Sequence, residues 1–438
     1  MSGAISRTFA SLRVRNFRLF IGGQLLSASG TWMQGVAAPL LVLRLTRGSD
    51  VQALWVGLDT ALQFLPIMIL GAYGGVLADR FDNRHLQIIT QILYATVAAV
   101  FWIVIATGVV ELWMVLTLSF LTGAVMSIDM PTRQSFYLEM VGPEQLTNAM
   151  SLNTATFTGS RIFGSALGGL LVAAFGFAPV FAINALTYLA VVAALLAMRT
   201  AELRPRERVK RQPGQIREGI RYVWNTPALR VPMVTMAVVF LFSFNFVVLI
   251  PLLVQDTFGG GARLLGVLMS LWGVGSLAGA LYLASRSTRP NPRRLAMFGV
   301  ALGGTTLLLA LAPTVWAAGF VMPLLGAMGI AFAITGNSTL QLTAVGSMRG
   351  RVMAIYTVVF LGSTPIGALL AGAMAAILGP RWAFAISGVI ASAAGVVALS
   401  VVRRLGIDVP AGSGAERERV VEAEAAVELT QPEVATGD

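Results

Sequence analysis

Apolar residues run along this chain in twelve stretches separated by short polar connections. They are Leu19–Leu45, Gln52–Leu77, Leu86–Val109, Leu112–Ile128, Asn148–Phe175, Phe177–Met198, Val231–Gln255, Leu264–Ala284, Leu295–Ala312, Val315–Leu340, Val352–Leu378 and Trp382–Val402. Crossing a bilayer as a helix takes about 20 apolar residues, so each stretch reads as one span. The expected architecture is an all-α polytopic membrane protein of twelve transmembrane helices. The first stretch follows Arg7, Arg13, Arg15 and Arg18 and has no small-residue cleavage pattern after it, so it is expected to be retained.

The connections differ in charge according to their side. The tails and the even-numbered connections carry 26 of the 31 Lys and Arg residues, whereas the opposite side has only Arg44, Arg47, Arg263 and Arg381, and Arg161 falls inside a span. This asymmetry predicts cytoplasmic termini. It also accounts for the +11 net charge as residues facing an anionic inner leaflet, so no nucleic-acid partner is expected. At 56% hydrophobic and 12% charged, the 438-residue chain is too apolar for a soluble protein.

The same composition narrows the chemistry. Without cysteine there is no disulfide, thiolate site or cysteine nucleophile, and the lone histidine, His85, cannot form a multi-histidine metal site. The single lysine, Lys210, sits between Val209 and Arg211, so no phosphate loop can be drawn. The expectation is a non-enzyme without cofactor or metal, driven by an ion gradient or by its solute's own gradient.

The chain repeats itself weakly. Met150–Asn184 aligns with Met353–Ser387 at a shift of 203 with 13 identities in 35 positions, including Gly159/Gly362, Gly164/Gly367, Gly169/Gly372 and Gly176/Gly379. Repeats of this strength mark duplicated transporter halves. The expected organisation is a six-helix bundle over 1–198, a basic cytoplasmic linker over 199–230, a second six-helix bundle over 231–404, and an acidic, disordered tail over 405–438. In the linker, Ile216, Ile220, Val223 and Trp224 share a face of Gln215–Asn225, which predicts an interfacial helix. Glu202–Pro213 reads equally as a solvated tether.

One loop adds a family signature. Gly75-Val76-Leu77-Ala78-Asp79-Arg80-Phe81-Asp82-Asn83-Arg84, between the second and third spans, resembles the loop that marks the major facilitator superfamily. Further stretches are similar to one branch of bacterial exporters, which includes the enterobactin exporter and transmembrane secretion effectors. They are Leu12–Phe20 with Arg15-Asn16-Phe17-Arg18, Gly30-Thr31-Trp32-Met33-Gln34, Leu62–Pro66, Asp129-Met130-Pro131-Thr132-Arg133-Gln134 and Arg349-Gly350-Arg351-Val352-Met353. The resemblance implies two pseudo-symmetric six-helix bundles around a mid-membrane cavity, alternating access, and export of drugs, siderophores or secondary metabolites across the bacterial cytoplasmic membrane. An importer or lipid mover on the same fold, or a non-transporting receptor, are the alternatives. Two departures stand out: Ser165 replaces the proline of the helix 5 motif of drug antiporters, and Leu116–Ser127 lacks the helix 4 arginine of many proton-coupled exporters. Proton antiport is therefore an expectation of its own. A monomer is expected.

The resemblance implies a cytoplasmic gate in which Asp79 accepts from the start of helix 11 and Arg351, with Arg80 and Arg84 completing the cluster; a purely topological role for Asp79 is the alternative. Helix 1 carries Gln24, Ser27, Thr31 and Gln34 within about 80° of its circumference. With Trp32, and with Asn245, Asn337 and Gln341 from the second half, they are expected to line the cavity, or else to bond helices together. Glycine rows Gly71/Gly75, Gly164/Gly168 and Gly275/Gly279 give bare faces for close packing, at the seam between bundles if the resemblance holds. Asp59 and Arg161 lie inside spans at similar expected depths. Intramembrane charges point to function or an ion pair. Asp59 is the expected proton acceptor, and Arg161 either pairs with it or binds an anionic part of the solute. The alternative gives both a structural role. Asp256 is expected to be structural.

Overall fold

The computed structural model describes residues 9–204, 215–286 and 290–407. Within a hydrocarbon layer a spanning chain must satisfy its backbone groups internally, and the described residues do so with twelve helices and no strand. In chain order these are α1 Arg15–Leu45, α2 Gln52–Arg80, α3 Asn83–Ala106, α4 Leu112–Val141, α5 Leu146–Phe175, α6 Ala178–Leu196, α7 Pro227–Thr257, α8 Ala262–Ser285, α9 Pro292–Leu311, α10 Val315–Thr343, α11 Gly346–Leu378 and α12 Pro380–Leu405. The helix expected in the linker forms over Gln215–Asn225. The acidic tail from residue 408 and the Pro205–Pro213 stretch lie outside the described residues, as does the Ile216 side chain. Both described ends of the chain, the α2/α3 turn and the linker helix share one face, the terminal face; the other is the far face.

The connections are built from short-range chemistry. Asp82 opens α3 by accepting from the His85 backbone N–H at 2.8 Å, and Asn291 opens α9 by accepting from that of Arg294 at 2.9 Å. Gly176 and Gly379, at equivalent places in the repeat, end α5 and α11 with φ of 78° and 86°. A side chain is disfavoured there, so glycine lets each helix turn tightly into the next.

Packing repeats as well. In the first bundle α1 packs on α5 and α6, α2 on α4, and α3 on α6; in the second, α7 packs on α11 and α12, α8 on α10, and α9 on α12. The bundles meet along two seams, α2 against α11 and α5 against α8. Near the far face the seams are duplicates. A Cβ on Gly57 would press on the Ala368 carbonyl and on Gly372 Cα, and one on Gly266 would press on the Ser165 carbonyl and on Gly169 Cα. Ser165 and Ala368, like Gly169 and Gly372, are 203 positions apart. The backbones touch, as small residues permit between membrane helices. Toward the terminal face the contact passes to side chains, with Met68 opposite Gly362 and Ile162 opposite Gly273.

Two spans differ from the hydropathy pattern. The fourth stretch ends at Ile128 by composition, yet α4 continues to Val141 and carries Asp129 and Arg133 as helical residues. The continuation works because Asp129 is fully buried among donors. Gln87 Nε2, Thr90 Oγ1 and Gln91 Nε2 of α3 donate to its Oδ1 at 3.1, 3.0 and 2.9 Å, and Arg133 closes an ion pair on Oδ2. The seventh stretch is broken at Phe244 and Asn245, where Asn245 Nδ2 donates to the Leu241 carbonyl at 2.7 Å, and it ends in a π-turn over Leu253–Thr257 that contains Asp256. Helix α5 runs unbroken past Ser165, which is fully buried.

Candidate functional site

Arg161 is the sixteenth of the 30 residues of α5, at mid-span. Its guanidinium carbon lies 5.6 Å from the Trp32 ring centre of α1 and 4.4 Å from that of Trp272 of α8. The cation thus sits between two indoles that belong to opposite bundles. No ion pair joins it to Asp59 among the described residues, and its Nε and the Nε1 atoms of both tryptophans are buried without hydrogen-bond partners. Across the same stretch Ser270 donates to the Ile162 carbonyl at 2.7 Å, tying α8 to α5.

Aromatic rings extend from this centre in both directions. Phe157, one turn along α5 and half exposed, meets Trp32 edge-on at 5.5 Å. On the other side Trp272 contacts Phe246 at 5.4 Å, Phe246 contacts Phe244, and Phe240, Phe332, Phe360 and Tyr356 follow. The break in α7 places Phe244 and Phe246 in this line. Tyr356 also lines an open depression with Asn337 and Ser338, and Gln341 Nε2, one turn further along α10, donates to Asn337 Oδ1 at 2.7 Å.

Asp59 is only 5% exposed, and Ser119 of α4 donates to its Oδ1 at 2.6 Å. Arg133 also reaches α1, donating to Gln24 Oε1 at 3.1 Å. Asp129 and Arg133 therefore form the polar centre of the first bundle. Sequence reasoning gives them only as part of a family-like stretch and not as site residues, because they follow the end of the fourth apolar stretch. The absence of an arginine in Leu116–Ser127 stands, but α4 does hold one further on. The available signal was the Asp-Met-Pro-Thr-Arg spacing, which puts Asp129 and Arg133 at i, i+4 on one helical face.

A model of the transmembrane secretion effector family matches residues 6–425. The chain belongs to this family. It is a membrane transporter of the major facilitator type and not an enzyme. The transporter is 28% identical over 408 residues to the uncharacterized MFS-type transporter YfiS of Bacillus subtilis, covering 86% of this chain and 91% of that one. It is 28% identical over 406 residues to the multidrug efflux pump Tap of Mycolicibacterium fortuitum, covering 89% and 96%. The staphyloferrin A transporter of Staphylococcus aureus is 20% identical over 374 residues, covering 85% and 92%. Among solved structures, the peptide-transporter-family member PepTSo superposes with a TM-score of 0.71 at 13% identity, over 89% and 98% of the two chains. An inward-facing, occupied bacterial homologue of the human lysosomal transporter Spinster gives 0.69 at 13%, over 88% and 96%. These structures establish the fold.

Within the transporter the polar stripe of α1 faces its own bundle. Gln24 accepts from Arg133, Thr31 Oγ1 lies 3.1 Å from the Tyr188 hydroxyl, and Gln34 accepts from Asn184 of α6 at 2.5 Å; Ser27 is buried, and Thr31 alone is exposed. Trp32 turns the other way, to the seam. The expected glycine rows are displaced too. Gly164 and Gly168 press on Ser29 and Met33 of α1, while Gly275 and Gly279 press on Pro323 and Ala327 of α10, so each row packs inside its own bundle. Gly71 has only its own Ile67 near, and Gly74, between it and Gly75, meets Ser127 of α4. The glycines whose backbones touch across the seams are Gly57, Gly169, Gly266 and Gly372; on α5 Gly169 lies about 100° round the helix from Gly168, and on α8 Gly266 lies about 180° from Gly275.

At the terminal face Asp79 lines a cleft with Asn83, Arg84, Glu139 and Arg204. Arg84 Nε donates to the Leu195 carbonyl at 2.9 Å, beside Arg15 on the Ala197 carbonyl and Asn16 on that of Arg199. These side chains satisfy the end of α6, as cations and donors do at helix C-termini. Arg351 forms its ion pair with Glu218 of the linker helix at 2.6 Å, and Arg80 is exposed. Outside the spans, a backbone hydrogen bond and then the Arg204 side chain hold the Glu144 carboxyl below the usual carboxylate range.

Proposed function

We propose that the transporter is a secondary active exporter of amphiphilic small molecules, working by alternating access and driven by proton antiport. In this reading the terminal face is cytoplasmic, the membrane is the bacterial cytoplasmic membrane, and the chain acts as a monomer. The structure then corresponds to the state that loads solute from inside. The observation that carries the reading is the set of partly exposed rings Phe157, Trp32, Trp272, Phe244, Phe360 and Tyr356, with the cation Arg161 among them, backed by the buried rings of Phe240, Phe246 and Phe332. Such a surface suits solutes with a large apolar body and few charges. The similarity to a multidrug efflux pump and to a siderophore transporter supports the same direction and class.

The gate on the cytoplasmic side would close when Arg351 leaves Glu218 for Asp79 as the start of α11 meets the end of α2. The linker helix, with Ile220 and Trp224 exposed and Arg217 and Arg221 beside them, would rest on the anionic inner leaflet. Asp59 would take up the coupling proton from outside.

Deleting the gene should raise susceptibility to amphiphilic toxicants and lower one or more metabolites in the medium. A deletion strain that instead accumulates less of its solute would identify an importer. A reporter after Leu405 should be cytoplasmic and one at Gly260 external. With a verified solute, Asp79→Asn should leave expression near wild type but cut export sharply, since a hydrogen bond to a charged group is worth about 1.5–3 kcal/mol. Undiminished export in that variant would remove Asp79 from the gate.

A further inference from the structure

The Arg161 centre has an unusual donor balance. A cation inside a span is normally matched by a carboxylate or by backbone carbonyls. Arg161 has neither among the described residues; two indole faces stabilise its charge, and no protein acceptor answers its N–H groups. The two indoles repeat the shortage, since each buries an Nε1–H without an acceptor. A buried donor left unmatched is destabilising, because it has given up its hydrogen bond to water and gained none in return. Three such donors in one cluster ask for a ligand made of acceptors.

The shape of the cluster narrows that ligand. Indoles flank the guanidinium, leaving its N–H edge as the polar contact, and an edge of this kind matches a flat group with two oxygens. Next to it, toward the terminal face, stands the half-exposed Phe157 ring. An arene carried by the same solute would lie there. Trp32 and Arg161 belong to the first bundle and Trp272 to the second, so the cluster is complete only while α5 and α8 are apposed.

We propose that Arg161, Trp32 and Trp272 form an inter-bundle site for the planar oxyanion of an arene-bearing solute, such as an aromatic carboxylate. The proposal rests on the exporter reading for its physiological meaning, but not for its test. The carboxylate oxygens accept from the outer edge of the Arg161 guanidinium and, as Trp32 and Trp272 turn to admit them, from the indole N–H groups that are closed off without solute, and the arene stacks near Phe157. Rocking the bundles withdraws Trp272 and weakens the hold, which favours release on the far side.

The test is equilibrium binding to the purified full-length chain in nanodiscs, by calorimetry, with 2-naphthoate and its uncharged analogue 2-naphthalenemethanol. Wild type should bind the carboxylate at least about tenfold more tightly than the alcohol, which corresponds to about 1.4 kcal/mol. Arg161→Gln should bring the two affinities together while leaving the alcohol's within about twofold. Trp272→Phe, which keeps a ring and removes the N–H, should weaken the carboxylate alone by a few-fold. Equal affinities in wild type, or a preference that survives Arg161→Gln, would overturn the site. If Arg161→Gln does not yield monodisperse protein, an unchanged preference in Trp272→Phe overturns the inter-bundle clamp by itself. A chain that binds 2-naphthoate as described yet alters no efflux would refute the exporter reading and leave the site standing.

Discussion

The two seams that join the bundles begin as copies and end as different devices. Near the far face α2/α11 and α5/α8 make the same backbone contact, with Gly57 on Ala368 and Gly372 matched by Gly266 on Ser165 and Gly169. At mid-span they diverge. The repeat equivalent of Arg161 is Thr364, and the position that answers Trp272, at the shift relating Gly57 to Gly266, is Gln63. Closing the far face is a task that two related halves can share symmetrically, and the repeat has kept it so. Holding a solute, which itself lacks two-fold symmetry, gains nothing from a duplicate, and the α5/α8 seam alone carries the cation and the indoles.

The largest expected effects come from breaking the shared part. Gly57→Val and Gly266→Val should each abolish efflux, because overpacking a close contact costs about 1–3 kcal/mol. That shifts the far-closed population roughly 5- to 150-fold. The chain lacks cysteine, so single cysteines at Ala368 and Ser165 can report on the α2/α11 and α5/α8 seams respectively. Each should react slowly with an impermeant maleimide from outside in the parent and faster in the matching valine variant. If one seam tolerates valine without change in labelling or efflux, the two are not equivalent closures.

The symmetric part was also the more legible from sequence. Twelve apolar stretches and the 203-residue shift define the spans and their duplication, since hydrophobic length and repeated glycines are properties of the chain taken locally. The faces of the helices were harder to read. Gly164/Gly168 and Gly275/Gly279 have the i, i+4 spacing expected of a seam, yet they pack within bundles, because spacing marks a bare face without saying which neighbour uses it. Asp129 and Arg133, legible as part of a family-like stretch, were not legible as the centre of a bundle for the opposite reason: hydropathy ends a span where charge begins, although a buried and fully bonded charge prolongs a helix. The Arg161 site lay beyond any local pattern. It needs Trp32 and Trp272, 129 and 111 positions away on other helices, and only the fold brings them together.

A second prediction asks whether the seams divide labour between solute and proton. The α2 side holds the buried carboxylate Asp59, with Ser119 as its donor. Asp59→Asn keeps the shape of the side chain and removes its charge. In proteoliposomes with an imposed pH gradient, this variant should lose gradient-driven transport of a verified solute while retaining solute exchange. Full gradient-driven transport would take Asp59 out of coupling and leave α2/α11 as a closure only. Loss of exchange as well would place Asp59 in the solute path and dissolve the contrast between the seams.

The smallest effect should come from Thr364, the counterpart of Arg161. Its Oγ1 is 3.5 Å from the Phe360 carbonyl of its own helix, at the edge of hydrogen-bond range, so little is lost with the hydroxyl. Thr364→Val is nearly isosteric and suits a membrane helix. It should change stability by no more than about 0.5 kcal/mol, as substitutions that touch no special feature do. Efflux and the preference for 2-naphthoate over its alcohol should both stay within about twofold of wild type, a margin well under the 1.4 kcal/mol of a tenfold change. A large loss of efflux with binding intact would mean that the Thr364 hydroxyl serves the conformational cycle, so that α2/α11 has an active middle of its own. A loss of naphthoate preference would be more damaging, because it would spread recognition over both seams and undo the asymmetry on which the Arg161 site depends.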